Sequence, residues 1–389
     1  MKIVFVGLTI TSSWGNGHAT TYRALVRALA ARGHDVSFFE RDVPWYAGNR
    51  DLPNPSYCDL ALYHETSELE SDHGAALSGA DVVVVGSYVP EGSAVGDIVL
   101  RRARGCVAFY DIDTPVTLAK LRADDAEYLH SRQVPEFDLY LSFTGGPTLD
   151  TLEREFGAKL ARPLYCSVDA EAYSPDDDAR PRHDLTYLGT YSADRQPALE
   201  MLQLAAARAC PEGRFAVAGP QYPECVTWPD NVERIEHLAP RDHPGFYAAS
   251  RFTLNVTRRD MIAAGYAPSV RLFEAAACGT PIISDRWPGL ATIFEPEREI
   301  LLADGTPEVL AYIREMPDAE RKAVARRARD RVLMAHTSAH RAGEFERHVA
   351  EAACRSRAAH GDGAAASRAD RATSRQAGTA TGQSHARTS

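Results

Sequence analysis

Residues 2–34, KIVFVGLTITSSWGNGHATTYRALVRALAARGH, pass from an apolar run through a Gly-Asn-Gly-His loop into an amphipathic helix. The run KIVFVGLTI shows no alternation, as expected of a strand covered on both faces. After the loop, Tyr22, Leu25, Val26 and Leu29 recur at i, i+3, i+4 and i+7, and Gly33 stops the helix. Gly15 and Gly17 let backbone N–H groups approach an anion or a sugar closely. His18 stands where the helix begins, and the positive helix end favours its neutral form. The loop is therefore expected to form one wall of an active-site cleft.

The same strand-loop-helix rhythm continues along the chain. Apolar runs DVSFFE, ADVVVVGSY, GCVAFYDID, FDLYLSF and ARPLYC complete a first series. A second comprises DLTYLG, RFAVAG, NVERIEHL, FTLNV, TPIISD and REILLA. Strands alternating with helices imply parallel α/β sheets. Residues 1–166 read as one domain, the Asp- and Pro-rich stretch 167–184 as a linker, and 185–354 as a second domain closed by a long helical region, roughly Asp318 to Cys354. Residues 355–389 end in thirty residues without a large apolar side chain, and this tail is expected to be disordered. The fold class is thus α/β, with two doubly wound, Rossmann-like domains facing across a cleft. Ligands in such sheets bind at the carboxyl ends of the strands.

Bulk properties narrow the functions. At 389 residues, 44% hydrophobic and 25% charged, the chain has the composition of a globular protein of two domains. The formal net charge is −10, but Arg355–Ser389 holds six Arg and two Asp, so the preceding residues carry about −14. An acidic body argues against a nucleic-acid partner, while leaving room for a local basic pocket. The seven cysteines are scattered without a C-x-x-C pair, as buried free thiols in a reducing compartment would be. The N-terminal run is too short for a signal peptide, and no window approaches the roughly 20 apolar residues of a transmembrane segment. A cytoplasmic location is expected, and no oligomeric state is specified.

The opposite wall of the cleft is sought in YAPSVRLFEAAACGTPIISD, residues 266–285. Ser269 is a plausible N-cap after Pro268, and Gly279 with Pro281 ends a short helix. Arg271 then lies in the first helical turn, where a cation opposes the helix dipole. An anion such as a diphosphate resting on that helix end removes the conflict. Glu274, one turn on, could accept from two ribose hydroxyls. The alternative is an i,i+3 Arg–Glu pair on a surface helix.

The stretch SVRLFEAAACGTPIIS resembles the nucleotide-sugar-binding segment of GT-B glycosyltransferases, closest to the CgeB-like, spore-maturation-protein-type group of family 1/4-like domains. GNGHATTYRALVRALAARGHDV, SVDAEAYSP and DLTYLGTYSADRQPAL fit the same group in the same order, covering most of residues 1–350. The resemblance implies a GT-B fold and a nucleoside-diphosphate sugar donor. By position, Glu274 would hold the ribose, and Ser269 and Arg271 would face the diphosphate. Arg195 would be another phosphate cation, while Thr190 and Tyr191 would line the nucleotide pocket. Asn255, ending FTLNV, is expected to open into the cleft. Many retaining relatives carry a second glutamate eight residues before the ribose-binding one. Here that position is Tyr266, so the resemblance carries over neither the donor sugar nor the stereochemical course.

In inverting GT-B enzymes a histidine after the first strand deprotonates the acceptor, and His18 is similarly placed. Such a base needs a carboxylate partner. FYDIDTP supplies Asp111 and Asp113 at a strand end; alternation turns one of them into the cleft, and Asp113 is favoured. The alternative is that His18 merely caps its helix and DIDTP is an Asx turn. No Asp-x-Asp metal site stands in suitable context, so no metal is expected, and the leaving group would be met by Arg195, Arg271 and the helix beginning at Ser269. No cofactor is expected beyond the co-substrate, for which a UDP-sugar comes first, and the acceptor is an unidentified small molecule or glycan.

Secondary candidates are TGGPT (144–148), as a phosphate loop or an N-capped turn, and VPWYAGNRDLPNP (43–55), as an acceptor loop offering Trp45 and Tyr46 to a sugar or as a loop folded back on the domain. Arg258 and Arg259 could reach phosphate or be a solvated pair. Three other functions fit the same scaffold. One is a catalytically degenerate scaffold or coat protein, and another is a nucleotide-sugar epimerase using Asp111 and Asp113. A dehydrogenase is disfavoured because Thr20 replaces the third glycine of G-x-G-x-x-G, although Glu40 ends the second strand as a ribose-binding acid would.

Overall fold

The run Lys2–Gly7 forms β1, paired in parallel with β2 (Asp35–Arg41) on one side and Val82–Gly86 on the other. The computed structural model describes residues 1–379 except Asn16 and Asp177, with side chains as far as Ala358. Beyond β2 lies β3 (Asp59–Tyr63); beyond Val82–Gly86, which is β4, lie β5 (Cys106–Asp111), β6 (Leu139–Ser142) and β7 (Ala161–Pro163). The order is β3-β2-β1-β4-β5-β6-β7, parallel throughout. The second domain carries β8 (His183–Leu188), β9 (Phe215–Ala218), β10 (Val232–Ile235), β11 (Ser250–Asn255), β12 (Ile282–Ser284) and β13 (Leu301–Leu302). Its order is β10-β9-β8-β11-β12-β13, again all parallel.

In each sheet the strand order reverses once, between β1 and β4 and between β8 and β11. A crevice opens at such a point beyond the strands' carboxyl ends, because the flanking helices diverge to opposite faces. The loops after β1, β4 and β5 of the first domain, and after β8 and β11 of the second, therefore converge on one interdomain space.

Helix α1 (His18–Ala31) packs Tyr22, Leu25, Val26 and Leu29 into the first core beside Phe5 and Phe38. Gly33, at φ 85°, ends it. One strand escapes the sequence reading: β3, DLALY, is an edge strand with only Tyr63 fully buried. Its alternation is blurred because one side is open.

The domain boundary also needs correction. The long helical region is two helices, Asp318–Ala335 and Ser338–Thr379, broken at His336–Thr337. The first packs on the second domain. The second crosses back and inserts Ala342, Phe345, Val349 and Ala352 into the first domain's core. Residues 342–352 thus belong to the first domain. Val168 bridges to Thr337, so outgoing and returning chains run side by side where they cross between the domains. The helix continues through Thr379, into the stretch expected to be disordered, as its Ala- and Arg-rich composition permits. Residues 380–389 lie outside the described residues. Among the described residues no helix is long and apolar enough to cross a membrane.

Candidate active site

Between the domains lies a hollow of about 150 Å³. Ser13, Gly15, Gly17 and Thr20 line it from the first domain, and Gly189, Thr190, Val270, Arg271 and Glu274 from the second. A Cβ on Gly15 or Gly17 would meet nothing within 4 Å, so both glycines leave their surroundings open to a ligand. Gly15, at φ 68°, also adopts a backbone conformation that favours glycine. Two helices begin at this hollow, α1 at His18 and the helix Val270–Ala277 after Ser269. Ser269 occupies the N-cap as expected, yet neither helix has a side-chain cap bond among the described residues. The first N–H groups of the helix Val270–Ala277 are an anion-binding arrangement.

The cations here are poorly neutralised. Arg271 stacks over Tyr187, 5.3 Å from the ring centroid, and its buried Nη1 has no hydrogen-bond partner among the described residues. Arg195 donates from Nη2 to the Thr190 carbonyl at 2.7 Å, while its buried Nε is also unpartnered there. Burial, reinforced by the nearby Arg271 and Arg258 charges, holds the Arg195 guanidinium below its usual basicity. Two half-buried arginines, each with one buried N–H left unpaired among the described residues, are costly unless an anion completes them.

Glu274 is buried beside these cations, and its Oε2 takes the Tyr247 hydroxyl at 3.4 Å with His243 Nδ1 at 3.8 Å. It also walls a second chamber of about 360 Å³ beside the crossing at Val168, lined by Arg23, Arg27, Tyr173 and Pro240 among others. The i,i+3 surface pair with Arg271 does not form, since Glu274 turns toward Tyr247 and His243.

On the first-domain wall, burial lowers His18 to about 4. The Tyr88 ring stands edge-on to it with centroids 5.2 Å apart. Tyr88 follows β4 at φ 63°, a strained conformation for a bulky residue and one that clusters at functional sites. Its hydroxyl donates to Asp113 Oδ2 at 3.1 Å, and Arg258 of the second domain donates to the same oxygen at 2.9 Å. Burial raises the Asp113 carboxyl, and Arg258 opposes that shift. Asp113 thus faces the cleft and ties its two walls together.

Asp111 takes the other direction. It is fully buried, accepting from Thr117 Oγ1 at 2.7 Å, the Asp113 N–H at 3.2 Å and the Tyr140 hydroxyl at 2.6 Å. Burial pushes it up to about 6. Asp111 braces the β5 loop and has no access to the cleft. Asn255 also departs from expectation: it is buried, donating to Ser284 Oγ at 3.0 Å and Thr257 Oγ1 at 3.3 Å, instead of opening into the cleft. A strand's last residue points along the pleat, and here the pleat turns inward. Tyr191 packs edge-on to Tyr222 beside the hollow, with 5.5 Å between centroids.

TGGPT is an interdomain contact. The Gly145 N–H donates to the Tyr266 carbonyl at 2.9 Å, and a Cβ on Gly146 would lie 2.4 Å from the Tyr266 ring. Tyr266, standing where retaining relatives carry a glutamate, fills that space with an aromatic ring. Tyr46 is buried, whereas Trp45 is 56% exposed. Glu40 cannot act as a ribose acid, because both its oxygens are taken by residues 9–11, including the Ile10 N–H at 2.7 Å and Thr11 Oγ1 at 2.6 Å. Sequence reasoning missed Tyr88, His243 and the Arg258–Asp113 bridge. Only Tyr88 leaves a trace, as an aromatic directly after VVVVGS at a strand end. Among the described residues, no group of three or more His, Cys, Asp or Glu could hold a metal ion.

Residues 195–347 match the family model described as glycosyl transferase-like. Among solved structures, sucrose-phosphate synthase from Thermosynechococcus elongatus superposes with a TM-score of 0.65 at 16% identity, covering 90% of this chain and 100% of that one. Anabaena HepE, in complex with UDP and glucose, gives 0.66 at 12% identity with the same coverage. The two Rossmann-like domains are therefore arranged in the GT-B fold of these glycosyltransferases. A separate match of 91 residues is 38% identical to glycerol-3-phosphate dehydrogenase of Nitratidesulfovibrio vulgaris, covering 23% of this chain. The chain spans about a quarter of the length of the curated relatives it matches.

Proposed function

We propose that the protein transfers a sugar from a nucleoside-diphosphate sugar to an acceptor held on the first domain, as a CgeB-like GT-B glycosyltransferase. The observation that carries this reading is the pair Arg195 and Arg271, half-buried arginines that each keep one buried N–H without a partner among the described residues, with Arg271 at a helix end facing Gly15 and Gly17. A diphosphate satisfies the orphaned N–H bonds and the N-terminal end of the helix Val270–Ala277 together. Glu274 then accepts from the ribose hydroxyls, and a UDP-sugar is the expected donor, in keeping with the UDP of the HepE complex. Charge developing on the leaving diphosphate is met by the arginines and helix dipoles, so the reaction needs no divalent cation. His18 takes the acceptor proton if the reaction inverts, and hydrogen-bonds the donor sugar if it retains. Closure about the paired chains near Val168 and Thr337 would exclude water during transfer.

Calorimetric titration with UDP tests the donor site. Arg271→Ala and Glu274→Ala are each expected to weaken UDP about 10- to 100-fold, the loss of one or two charge-assisted hydrogen bonds. Circular dichroism should be unchanged. Wild-type affinity in Glu274→Ala would reject the ribose assignment. Incubation with UDP-glucose separates the functions: UDP release supports transfer, binding without turnover a scaffold, and an isomerised donor an epimerase.

A further inference from the structure

The chain exposes few large apolar side chains. Among the described residues they are Met1, Trp14, Trp45, Met201 and Met334, so two of the four tryptophans stand in solvent, 46% and 56% exposed. An indole is a large apolar surface, and most folds bury it. Both exposed indoles come from neighbouring segments of the first domain, Trp14 from the loop after β1 and Trp45 from the short helix Pro44–Ala47. Ser12 Oγ donates to the Asn49 carbonyl at 2.8 Å and accepts from the Trp14 N–H at 3.3 Å, while Asn49 Nδ2 donates to the Trp45 carbonyl at 2.8 Å. These bonds fix the two tryptophan-bearing segments to one another.

Their place relative to the candidate chemistry is also fixed. Trp14 lies between Ser13 and Gly15, which both line the nucleotide hollow. Trp45 meets Tyr46 edge-on at 5.9 Å, and buried Tyr46 packs with Leu8, Val43 and Tyr88. Tyr88 in turn stands against His18. A chain of aromatic contacts therefore runs from His18 through Tyr88 and buried Tyr46 to Trp45.

The geometry points to a saccharide acceptor, one of whose pyranose rings stacks its C–H face on Trp45 with Trp14 flanking it; this rests on the donor reading above. Polar groups border the two segments: Asn49 caps the turn after Trp45, and Ser13, beside Trp14, donates its N–H and hydroxyl to Asp51 at 2.9 Å each. Asp51 is partly buried; hydrogen bonds and charge from Arg23, with the Ser13 bonds, outweigh that burial and hold its carboxyl well below the usual range. The competing occupant of exposed tryptophans is a membrane surface. Anionic lipid would require free cations beside them. Instead Arg23 pairs with Asp51 at 2.8 Å, Arg50 with Asp42 at 2.6 Å and Arg41 with Glu91 at 3.0 Å. The rim is aromatic and its arginines are paired, which suits a neutral sugar face better than an anionic membrane.

Tryptophan fluorescence of the full chain, titrated with maltopentaose, cellopentaose, chitopentaose and xylopentaose, tests this. At least one is expected to bind at millimolar concentration or better. Trp45→Ala should weaken it about tenfold, the worth of one aromatic contact, and Trp45→Phe should restore most of the affinity. UDP affinity should be unchanged in both variants. Absence of any fluorescence response to all four sugars, equal affinity in Trp45→Ala, or a blue shift only with phosphatidylglycerol vesicles would each overturn the assignment. Loss of UDP binding in the wild type, with sugar binding intact, would remove the donor reading and leave this platform standing.

Discussion

Replacing His18 by alanine is expected to lower donor turnover about 10²- to 10⁴-fold, the usual contribution of a positioned general base. UDP affinity should stay within about twofold, because no diphosphate contact rests on the imidazole. The pH dependence gives a sharper test. A base must be neutral to accept a proton, and burial lowers His18 to about 4, well under its ordinary value. The acid limb of kcat/KM for the wild-type protein should therefore fall near pH 4, with activity flat through pH 6.5. A limb near pH 6.5 would mean that the imidazole is solvated when it acts, or that another group is the base. Proton NMR of the product anomer then separates the inverting role from the hydrogen-bonding one. Asp113→Asn is the companion variant: it removes the charge that Arg258 meets across the cleft while leaving the Tyr88 contact possible.

The second large effect is on stability. Phe345→Ala is expected to destabilise the protein by about 3–5 kcal/mol, as large-to-small changes of buried phenylalanines do. Phe345 is fully buried in the first domain's core, its ring centroid 6.1 Å from that of Phe5. Its ring partner Phe5 stands near the opposite end of the chain, so losing Phe345 loosens the docking of the returning helix on the first domain. Urea unfolding read by circular dichroism measures the change; wild-type stability would show that this helix does not hold the first domain together. The neighbouring Glu346 predicts a pH effect on the same helix. Arg32 donates to it from Nε and Nη2 at 2.7 Å each, and His34 Nε2 lies at 2.7 Å from Oε1. The Arg32 hydrogen bonds lower its carboxyl to about 2. A carboxyl lowered on folding contributes fully above its unfolded value near 4.5 and loses that contribution as pH falls toward 2. Helix docking should therefore weaken in acid within that window, and Glu346→Gln should flatten the dependence.

Some of the site was legible in local pattern. Arg271 and Glu274 stand out because a cation in a first helical turn conflicts with the dipole, and Gly15 and Gly17 because a glycine pair after a strand leaves backbone open. The structure brings all four to one hollow. Asp111 and Asp113 illustrate the opposite case. Their alternation was readable, but which of them meets the cleft depends on Tyr140 and Thr117 claiming Asp111 from within the domain, and on Arg258 arriving from the other one. Asn255 failed for the same reason, since Ser284 on the neighbouring strand draws its amide inward.

By itself the sequence determined the two series of buried parallel strands and the helices at His18 and Val270. Those follow from hydrophobic period and from Gly and Pro placement, which act over a few residues. Tertiary structure alone decided where the last helix docks, that β3 closes the sheet edge, that Tyr266 seals against Gly146, and that Tyr88 links His18 to Asp113. Each of those depends on partners dozens to hundreds of residues away. Their contact energy is set by shape and charge brought together in space, which no local window contains.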